Sequence, residues 1–455
     1  MSKLPMGWAA ATLNDLLGAD GLFSDGDWVE SKDQDPDGAN RLLQLADIGD
    51  GLFIDKSSRY VNDEKFSILN CTELKEGDVL IARMPDPLGR ACLLPIMAQR
   101  CLTVVDVAVF RVGSTGISNK WLMHLLNSSP VRHEMELNSS GTTRKRISRG
   151  RLGEILLPVP PMAEQIRIAA KLDELMAQVD TLKTRIDGIP ALLKRFRQSV
   201  LAAAVSGRLT EEWRTLQEQK IEWKELSIDS VCASSFYGPR FGKGDYVTDG
   251  LPTIRTTDMT PKGEILITNT TPRVNVPKEK IEHFKVCNGD LLVTRTGSIG
   301  TMAVFRGNYE AIPSAYLIRF RFKESVSVDF IYTYLTSPEG QEKLGLGTTT
   351  TTQPNINAQT IRGIMLNLPS INEQTEIVRH VDQLFAFADQ LEAKVSSAKS
   401  RIDQLTQSIL AKAFRGELVP QDPNDEPASA LLKRIKTQRT AAPKTKHRRR
   451  AATPS

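Results

Sequence analysis

The sequence predicts an α+β protein: two globular α/β domains, each followed by a long helix, with the two helices paired as an antiparallel coiled coil in a pseudo-two-fold arrangement. Three observations predict it. One stretch of the chain occurs twice, each copy carries a heptad of apolar residues, and the sequence ahead of each copy reads as short strands separated by turns.

The duplicated stretch begins near residue 157 and ends near 209 in its first copy. Glu164-Gln165 recurs as Glu373-Gln374, and the offset of 209 residues that relates them (164 to 373) holds without a gap to Gly207 and Gly416. Asp173/Asp382, Asp180/Asp389, Gln198/Gln407 and Ser199/Ser408 fall into the same register, which marks a tandem duplication. Apolar residues at alternating spacings of three and four run through both copies: Leu172, Leu175, Val179, Leu182, Ile186, Ile189, Leu193, Phe196, Val200, and then Val381, Leu384, Ala388, Leu391, Val395, Ala398, Ile402, Leu405, Ile409. Sustained for about four heptads, such a seam predicts a coiled coil. A helix over 163–206 would be about 65 Å long at 1.5 Å per residue. Gly188 and Pro190 are expected to interrupt and kink the first copy, because proline removes a backbone donor and crowds the preceding turn. Gly207 and Gly416 stand where a left-handed, helix-ending residue is wanted, and Pro160, Pro161 and Pro369 precede the starts. Each helix could pack on its own domain alone, but two seams of equal length favour mutual pairing.

The domains come before the helices. Residues 1–157 contain short apolar runs such as Val79-Leu80-Ile81-Ala82, divided by Gly, Pro, Asp and Asn, so strands dominate, with a helix expected around 120–127. Residues 158–221 form the first helical region and residues 222–366 a second globular domain that echoes the first. Trp8, Leu13 and Leu16 match Trp223, Ile228 and Val231, and Gly77-Asp78-Val79-Leu80-Ile81-Ala82-Arg83 matches Gly289-Asp290-Leu291-Leu292-Val293-Thr294-Arg295. Residues 367–418 form the second helical region, and 419–455 a basic tail that begins as a short helix over 428–439 and then becomes a disordered arm.

Composition bounds the function classes. The chain has 455 residues, 40% hydrophobic and 25% charged, which leaves room for two or three domains with proper cores. No apolar run reaches the roughly 20 residues of a membrane helix, and residues 1–8 lack an apolar signal core, so a cytoplasmic protein without membrane partners is expected. Five cysteines without a C-x-x-C pair indicate free thiols rather than a disulfide framework or zinc site. The net charge of +5 is unevenly placed, with nine Lys or Arg and no acid between residues 433 and 450 and a second cationic cluster at 144–151.

Three stretches carry a resemblance: the helix start Pro160-Pro161-Met162-Ala163-Glu164-Gln165, the run Leu192-Leu193-Lys194-Arg195-Phe196-Arg197-Gln198-Ser199-Val200-Leu201, and the helix end Gln407-Ser408-Ile409-Leu410-Ala411-Lys412-Ala413-Phe414-Arg415-Gly416-Glu417-Leu418. With the domain order, they closely resemble the specificity subunit of Type I restriction-modification enzymes, most like the Type IA group. The resemblance implies two target-recognition domains that each read one half of a split sequence in double-stranded DNA. It also implies paired helices that dock two modification (methyltransferase) subunits, and an assembly completed by restriction subunits. S-adenosylmethionine, ATP and Mg are then expected in those partners, with no cofactor bound by this chain. The recognition domains vary within that family, so no base-reading residue is carried over.

The residues themselves show no catalytic constellation: no Asn- or Asp-Pro-Pro-aromatic tetrapeptide, no P-loop, and five histidines without metal-ligand or nucleophile-base spacing. A self-contained modification or restriction enzyme and a coiled-coil DNA scaffold without sequence preference are the competing readings. The leading DNA-contact candidates are Arg144, Lys145, Arg146 and Arg149 in the segment 141–151, where small residues followed by clustered cations suit phosphates and guanine edges; a solvated loop is the alternative. Gln353 and Asn355 lie in the counterpart segment. Arg83 and Arg295 each end a strand after a Gly-Asp turn and read as structural or as DNA contacts. Arg240, Lys243 and Arg255 mix with Phe236, Tyr237 and Phe241 as nucleic-acid surfaces do, or as an aromatic cluster does. Glu164, Gln165, Asp173, Asp180, Gln198 and Ser199 recur as Glu373, Gln374, Asp382, Asp389, Gln407 and Ser408 although a seam needs only its apolar positions; they are the candidates for partner contact. The expected target is asymmetric and bipartite, with a fixed gap and an adenine in each half.

Overall fold

The computed structural model describes residues 4–141, 144–217, 222–295, 300–345 and 356–441. The chain divides into two compact units, one of Met1–Ile186 with Ala398–Ser455 and one of Asp187–Ser397. The division falls in the middle of both long helices, so each unit combines one globular domain with the first half of its own helix and the second half of the other. This differs from the expected partition, in which the helices stood as regions of their own.

In the first unit, strands Leu22–Asp25, Val107–Arg111, Val79–Ala82 and Ala91–Leu93 form an antiparallel sheet in that order. Successive side chains of a strand point to opposite faces, and here both faces are covered. Val79 and Ile81 pack with Trp121 and Leu125, whereas Leu80 and Ala82 pack with Leu43, Ile48 and Val109. A strand buried on both sides needs an unbroken apolar run, which is why this segment shows no alternation. A second sheet sets Asn40–Leu43 between Tyr60–Val61, antiparallel, and Cys101–Thr103, parallel. Ala9–Thr12 pairs with Leu156–Val159 and joins the two ends of the domain. The expected helix is Asn119–Leu126, capped by Ser118, which accepts from the Trp121 amide.

The second unit repeats this topology with one strand added, Tyr246–Val247, which pairs with Arg273–Val274. Cys232–Tyr237, Leu317–Phe322, Leu291–Thr294 and Met302–Val304 form its four-stranded sheet. Leu251–Ile254 is antiparallel to Arg273–Val274 and parallel to Ile312–Pro313, and Lys224–Ser227 pairs with Met365–Leu368. Even a buried ion pair recurs: Arg111 to Asp78 at 2.7 Å in one unit, Arg321 to Asp290 at 2.8 Å in the other, with both aspartates 1% exposed. The faint echo in sequence corresponds to a shared arrangement of strands in the fold.

The long helices are Met162–Val205 and Ile371–Phe414, 44 residues each. In the first unit Ile168, Ala169 and Leu172 share a core with Leu410, Ala413 and Phe414, and Lys183 meets Asp403 at 3.1 Å. In the second, Val200, Leu201 and Ala204 share a core with Ile377 and Val381, and Arg197 bridges Asp389 at 2.7 Å and Glu392 at 2.9 Å. Within each unit the start of one helix lies beside the end of the other, so the pairing is antiparallel as expected. Val179, Leu193, Ala388 and Ile402 are buried in the seam, but Leu182 and Leu405 are 44% and 47% exposed, so the seam is not closed along its whole predicted length. The first helix is also not interrupted at Gly188 and Pro190, as its residues remain helical through both. Both residues face solvent, and the next seam residue, Leu193, is packed. Gly207 and Gly416 each adopt φ 76°, the left-handed stop that was expected.

The described part of the tail is a folded element and not a free arm. Helix Ala428–Ala441 buries Ala428, Leu431 and Ile435 in the core of the first unit, and the Ala428 amide donates to the Gly7 carbonyl at 2.9 Å. Arg167 grips Asp425 at 2.6 Å, and Arg439 donates to the Asn14 carbonyl at 2.8 Å. Residues 442–455 lie outside the described residues. Cys92, Cys101, Cys232 and Cys287 are free thiols, and burial pushes Cys92 up to about 12, which leaves it unreactive. No helix among the described residues is long and apolar enough to cross a membrane.

Candidate nucleic-acid interface

In the first unit, cations gather on the turn at 104–107, which joins Cys101–Thr103 of the second sheet to Val107–Arg111 of the main sheet. The Arg83 amide donates to the Asp106 carbonyl at 2.9 Å, and its guanidinium donates to the Val105 carbonyl at 3.0 Å and pairs with Asp25. Arg83 is only 4% exposed; burial works against its charge, and Asp25 and Asp106 oppose that effect. It is therefore a structural arginine, and the expectation of a DNA contact there is corrected: a guanidinium so enclosed cannot reach a phosphate. Arg146 lies 3.3 Å from Asp106, and Arg149 lies 3.7 Å from Asp25 while donating to the Phe23 carbonyl at 2.7 Å.

Arg144 and Lys145 differ from these. Ser140 and Arg146 exchange backbone hydrogen bonds at 2.9 and 2.8 Å, closing a small hairpin that Gly141 permits by taking φ 104°. Both side chains are exposed on that hairpin and have no ion pair among the described residues. They are the uncommitted cations of this edge.

The second unit builds the same edge from other residues. The Arg295 amide donates to the Tyr316 carbonyl at 3.0 Å, as Arg83 does to Asp106, and Ile356 and Ile147 donate to the Arg295 and Arg83 carbonyls at 3.3 and 3.1 Å. The Arg295 guanidinium lies over the Tyr237 ring at 4.8 Å. Arg240 and Lys243 are exposed, with Phe241 edge-on to Tyr246 at 6.5 Å. Arg255 is committed to Asp258 at 3.0 Å and to the Thr270 carbonyl at 3.3 Å. Gln353 and Asn355 lie outside the described residues.

Register between the units also locates a residue that sequence reasoning passed over. Gly26 donates to the Val107 carbonyl at 2.9 Å and Gly238 to that of Leu317 at 3.0 Å. Four residues on, the Glu30 and Gly242 amides each donate to an aspartate three positions ahead, Asp33 and Asp245. Trp28 therefore occupies the position of Arg240, and it is 65% exposed. A lone tryptophan carries no periodic signal; only the match to Arg240 singles it out.

The helix starts are docked on their own domains. Trp8 Nε1 donates to Glu164 at 3.0 Å, Gln165 accepts from the Ser118 amide at 3.0 Å and donates to the Pro160 carbonyl at 3.0 Å. The second copy repeats each bond: Trp223 to Glu373 at 3.1 Å, the Ser327 amide to Gln374 at 2.8 Å, and Gln374 to the Pro369 carbonyl at 2.9 Å. All four side chains are at most 1% exposed. The expectation that Glu164, Gln165, Glu373 and Gln374 contact a partner is thus corrected: they recur because each domain needs the same anchor.

The sequence profile of the Type I restriction modification DNA specificity domain matches residues 29–191 and 220–398. The chain belongs to this family. Each match takes in most of one globular domain and the first part of its helix, so the duplication seen in the fold is a duplication of the family's unit. Among similar proteins of this specificity-subunit family, the EcoBI subunit of Escherichia coli is 38% identical over 328 residues, 67% of this chain and 69% of that one. The EcoKI subunit of Escherichia coli K12 is 35% identical over 342 residues, 72% of this chain and 73% of that one. The fold is shared with a chain solved for complex assembly and conformational transition of the type I R-M system, with a TM-score of 0.70, 20% identity, and coverage of 92% of this chain and 100% of that one. It is also shared with the HsdS subunit of Thermoanaerobacter tengcongensis, with a TM-score of 0.58, 19% identity, and coverage of 91% and 98%.

Of the other repeated helix residues in this specificity chain, several are held internally. Asp173 takes Lys120 at 2.6 Å and His124 at 2.8 Å, Asp389 takes Arg197 at 2.7 Å and Lys262 at 2.6 Å, and Gln407 bonds Ser129. Asp180, Gln198, Ser199, Asp382 and Ser408 are exposed.

The two anchors are not equal in energy. Glu373 also accepts from Thr210 at 2.8 Å and pairs with Arg214, whereas Glu164 has one buried oxygen without a partner, and burial raises its carboxyl above the usual range against the Trp8 hydrogen bond. A raised carboxyl binds its proton more tightly in the folded state than in the unfolded one. That contribution to stability is present at low pH and is lost as pH rises from the unfolded value through the folded one. Glu164→Gln is therefore expected to leave the first unit's stability near neutral pH unchanged or higher and to flatten this pH dependence. Glu373→Gln should cost about 1.5–3 kcal/mol by weakening a charge-assisted network. Hydrogen exchange of the first turns of each helix at pH 5 and pH 8 checks this; equal losses from both substitutions would contradict it.

Proposed function

We propose that this chain is the DNA-specificity subunit of a Type I restriction-modification complex: it reads an asymmetric, bipartite target in double-stranded DNA and recruits the subunits that modify and cut. The observation that carries the reading is the repeated framework of the two domains with unlike residues on the same edge, Trp28 against Arg240. One frame carrying two different surfaces suits two different half-sites. The chain itself supplies binding and no bond-making group; S-adenosylmethionine, ATP and Mg belong with the partner subunits, and the assembly works in the cytoplasm. Methylome sequencing of cells carrying the chain with its modification partner tests the reading. An adenine-modified, two-part motif with unlike halves is expected, and a contiguous motif would refute it.

The same reading places two modification subunits on the helices, one per unit. Exposed apolar residues stand beside the exposed repeated polar ones in each unit: Leu182 and Leu405 in the first, Leu192 and Phe387 at 53% and 54% exposure in the second. Apolar side chains left open on a helix surface suit packing by a partner's helices. Native mass measurement of the saturated assembly is expected to give two modification subunits per chain. A complex that saturates at one would count against this placement, as would an Asp180→Lys, Gln198→Ala chain that binds two with undiminished affinity.

A further inference from the structure

We infer that Arg295, lying over the ring of Tyr237 beside the exposed Tyr316, reads a guanine in the half-site recognised by the second domain. The inference rests on the DNA-specificity reading above and assigns to one residue what that reading leaves general.

The argument is a comparison of two equivalent positions. Strand register makes Tyr237 the counterpart of Asp25, since Gly238 and Gly26 follow them and donate to equivalent carbonyls. The backbone bonds of Arg295 and Arg83 make Tyr316 the counterpart of Asp106. In the first domain two carboxylates stand around the arginine, Asp25 paired with Arg83 and Asp106 with Arg146. In the second domain both carboxylates are replaced by phenol rings, 40% and 61% exposed. Arg83 spends its donors on Asp25 and on the Val105 carbonyl. Arg295 makes no side-chain hydrogen bond or ion pair among the described residues, and its Nε, like that of Arg83, is a buried donor without a partner.

A charged group without an acid partner is costly at a partly covered site unless something else answers it. The Tyr237 ring answers only the face of the guanidinium, by a cation–π contact at 4.8 Å. A contact of this kind restrains the guanidinium from one side and leaves its donors unspent. A fixed, planar pair of donors is what bidentate recognition of guanine O6 and N7 requires, and a lysine cannot reproduce it. Ala358 donates to the Tyr237 hydroxyl at 2.9 Å, which holds the ring in place. The exposed Tyr316 beside it adds a surface for the neighbouring base or sugar, where the first domain has a carboxylate that would repel DNA. The difference between the domains thus lies in which of the two arginines is free.

The test uses the full chain assembled with its modification subunit. Arg295→Lys keeps the charge and loses the fork. It is expected to weaken binding to the target roughly ten- to hundredfold and to relax one G·C position in one half of the methylated motif, while the other half stays intact. Tyr237→Asp recreates the arrangement around Arg83 and should give the same relaxed position, whereas Tyr237→Phe keeps the ring and should keep the motif. Retention of modification-subunit binding shows that each variant is folded. A bipartite motif that persists unchanged in Arg295→Lys overturns the inference and leaves the wider reading standing, as does a uniform loss of affinity for all sequences in Arg295→Ala without relaxed specificity, which marks a phosphate contact. A wild-type chain that directs no sequence-specific methylation overturns both.

Discussion

Replacing Arg144 and Lys145 together with alanine is expected to lower the slope of log binding constant against log salt by about two, since each phosphate neutralised releases about 0.9 counterions on duplex DNA. Affinity should fall for specific and random sequences alike, because a phosphate contact positions the protein without reading bases. The fold should be indifferent: both side chains are exposed and make no ion pair among the described residues, and surface changes of that kind stay within about 0.5 kcal/mol. Arg146→Ala with Arg149→Ala should change the slope less, because Asp106 and Asp25 already answer part of those charges. Binding measured over a salt series distinguishes the pairs. An unchanged slope in the first variant would remove this hairpin from the interface.

Lengthening both long helices by one heptad at matched points, near Asp187 and Ser396, is expected to widen the gap in the target without altering the bases read. Seven helical residues add about 10.5 Å, which corresponds to about three base pairs at 3.4 Å each. The proposal rests on covalent geometry, since each helix is a single element of 44 residues that begins with one domain and ends with the other, and a helix does not stretch. The half-sites should keep their sequences, including one adenine each for the partner to flip out and methylate. Lengthening one helix alone would set Lys183 against the wrong turn and separate Arg197 from Asp389 and Glu392, so binding should be lost. Methylomes of the two chains read the outcome. A gap unchanged by the double insertion, or half-sites at freely varying separation, would defeat the idea that the helices set the spacing.

Much of this molecule could be read from its sequence alone. The duplication, the two helices, their glycine stops and their antiparallel pairing all rest on signals written along the chain, a repeat offset and a heptad, and they need no knowledge of what lies opposite. The strand Val79–Ala82, the helix Asn119–Leu126 and the helix of the tail were legible for the same reason. What only the tertiary structure decided is which polar residues are spent. Glu164 looked like a surface residue kept for a partner, but its hydrogen bond comes from Trp8, 156 residues away. Arg83 and Arg295 end matching strands with the same residue type, yet one faces Asp25 across 58 residues and the other faces a tyrosine ring. The basic run of the tail gave no sign that Leu431 and Ile435 would pack into the first unit's core. Apolar periodicity is a property of one element and survives in one dimension. The burial and pairing of a charge depend on groups that folding brings from distant parts of the chain, so they are settled only when the chain has closed on itself.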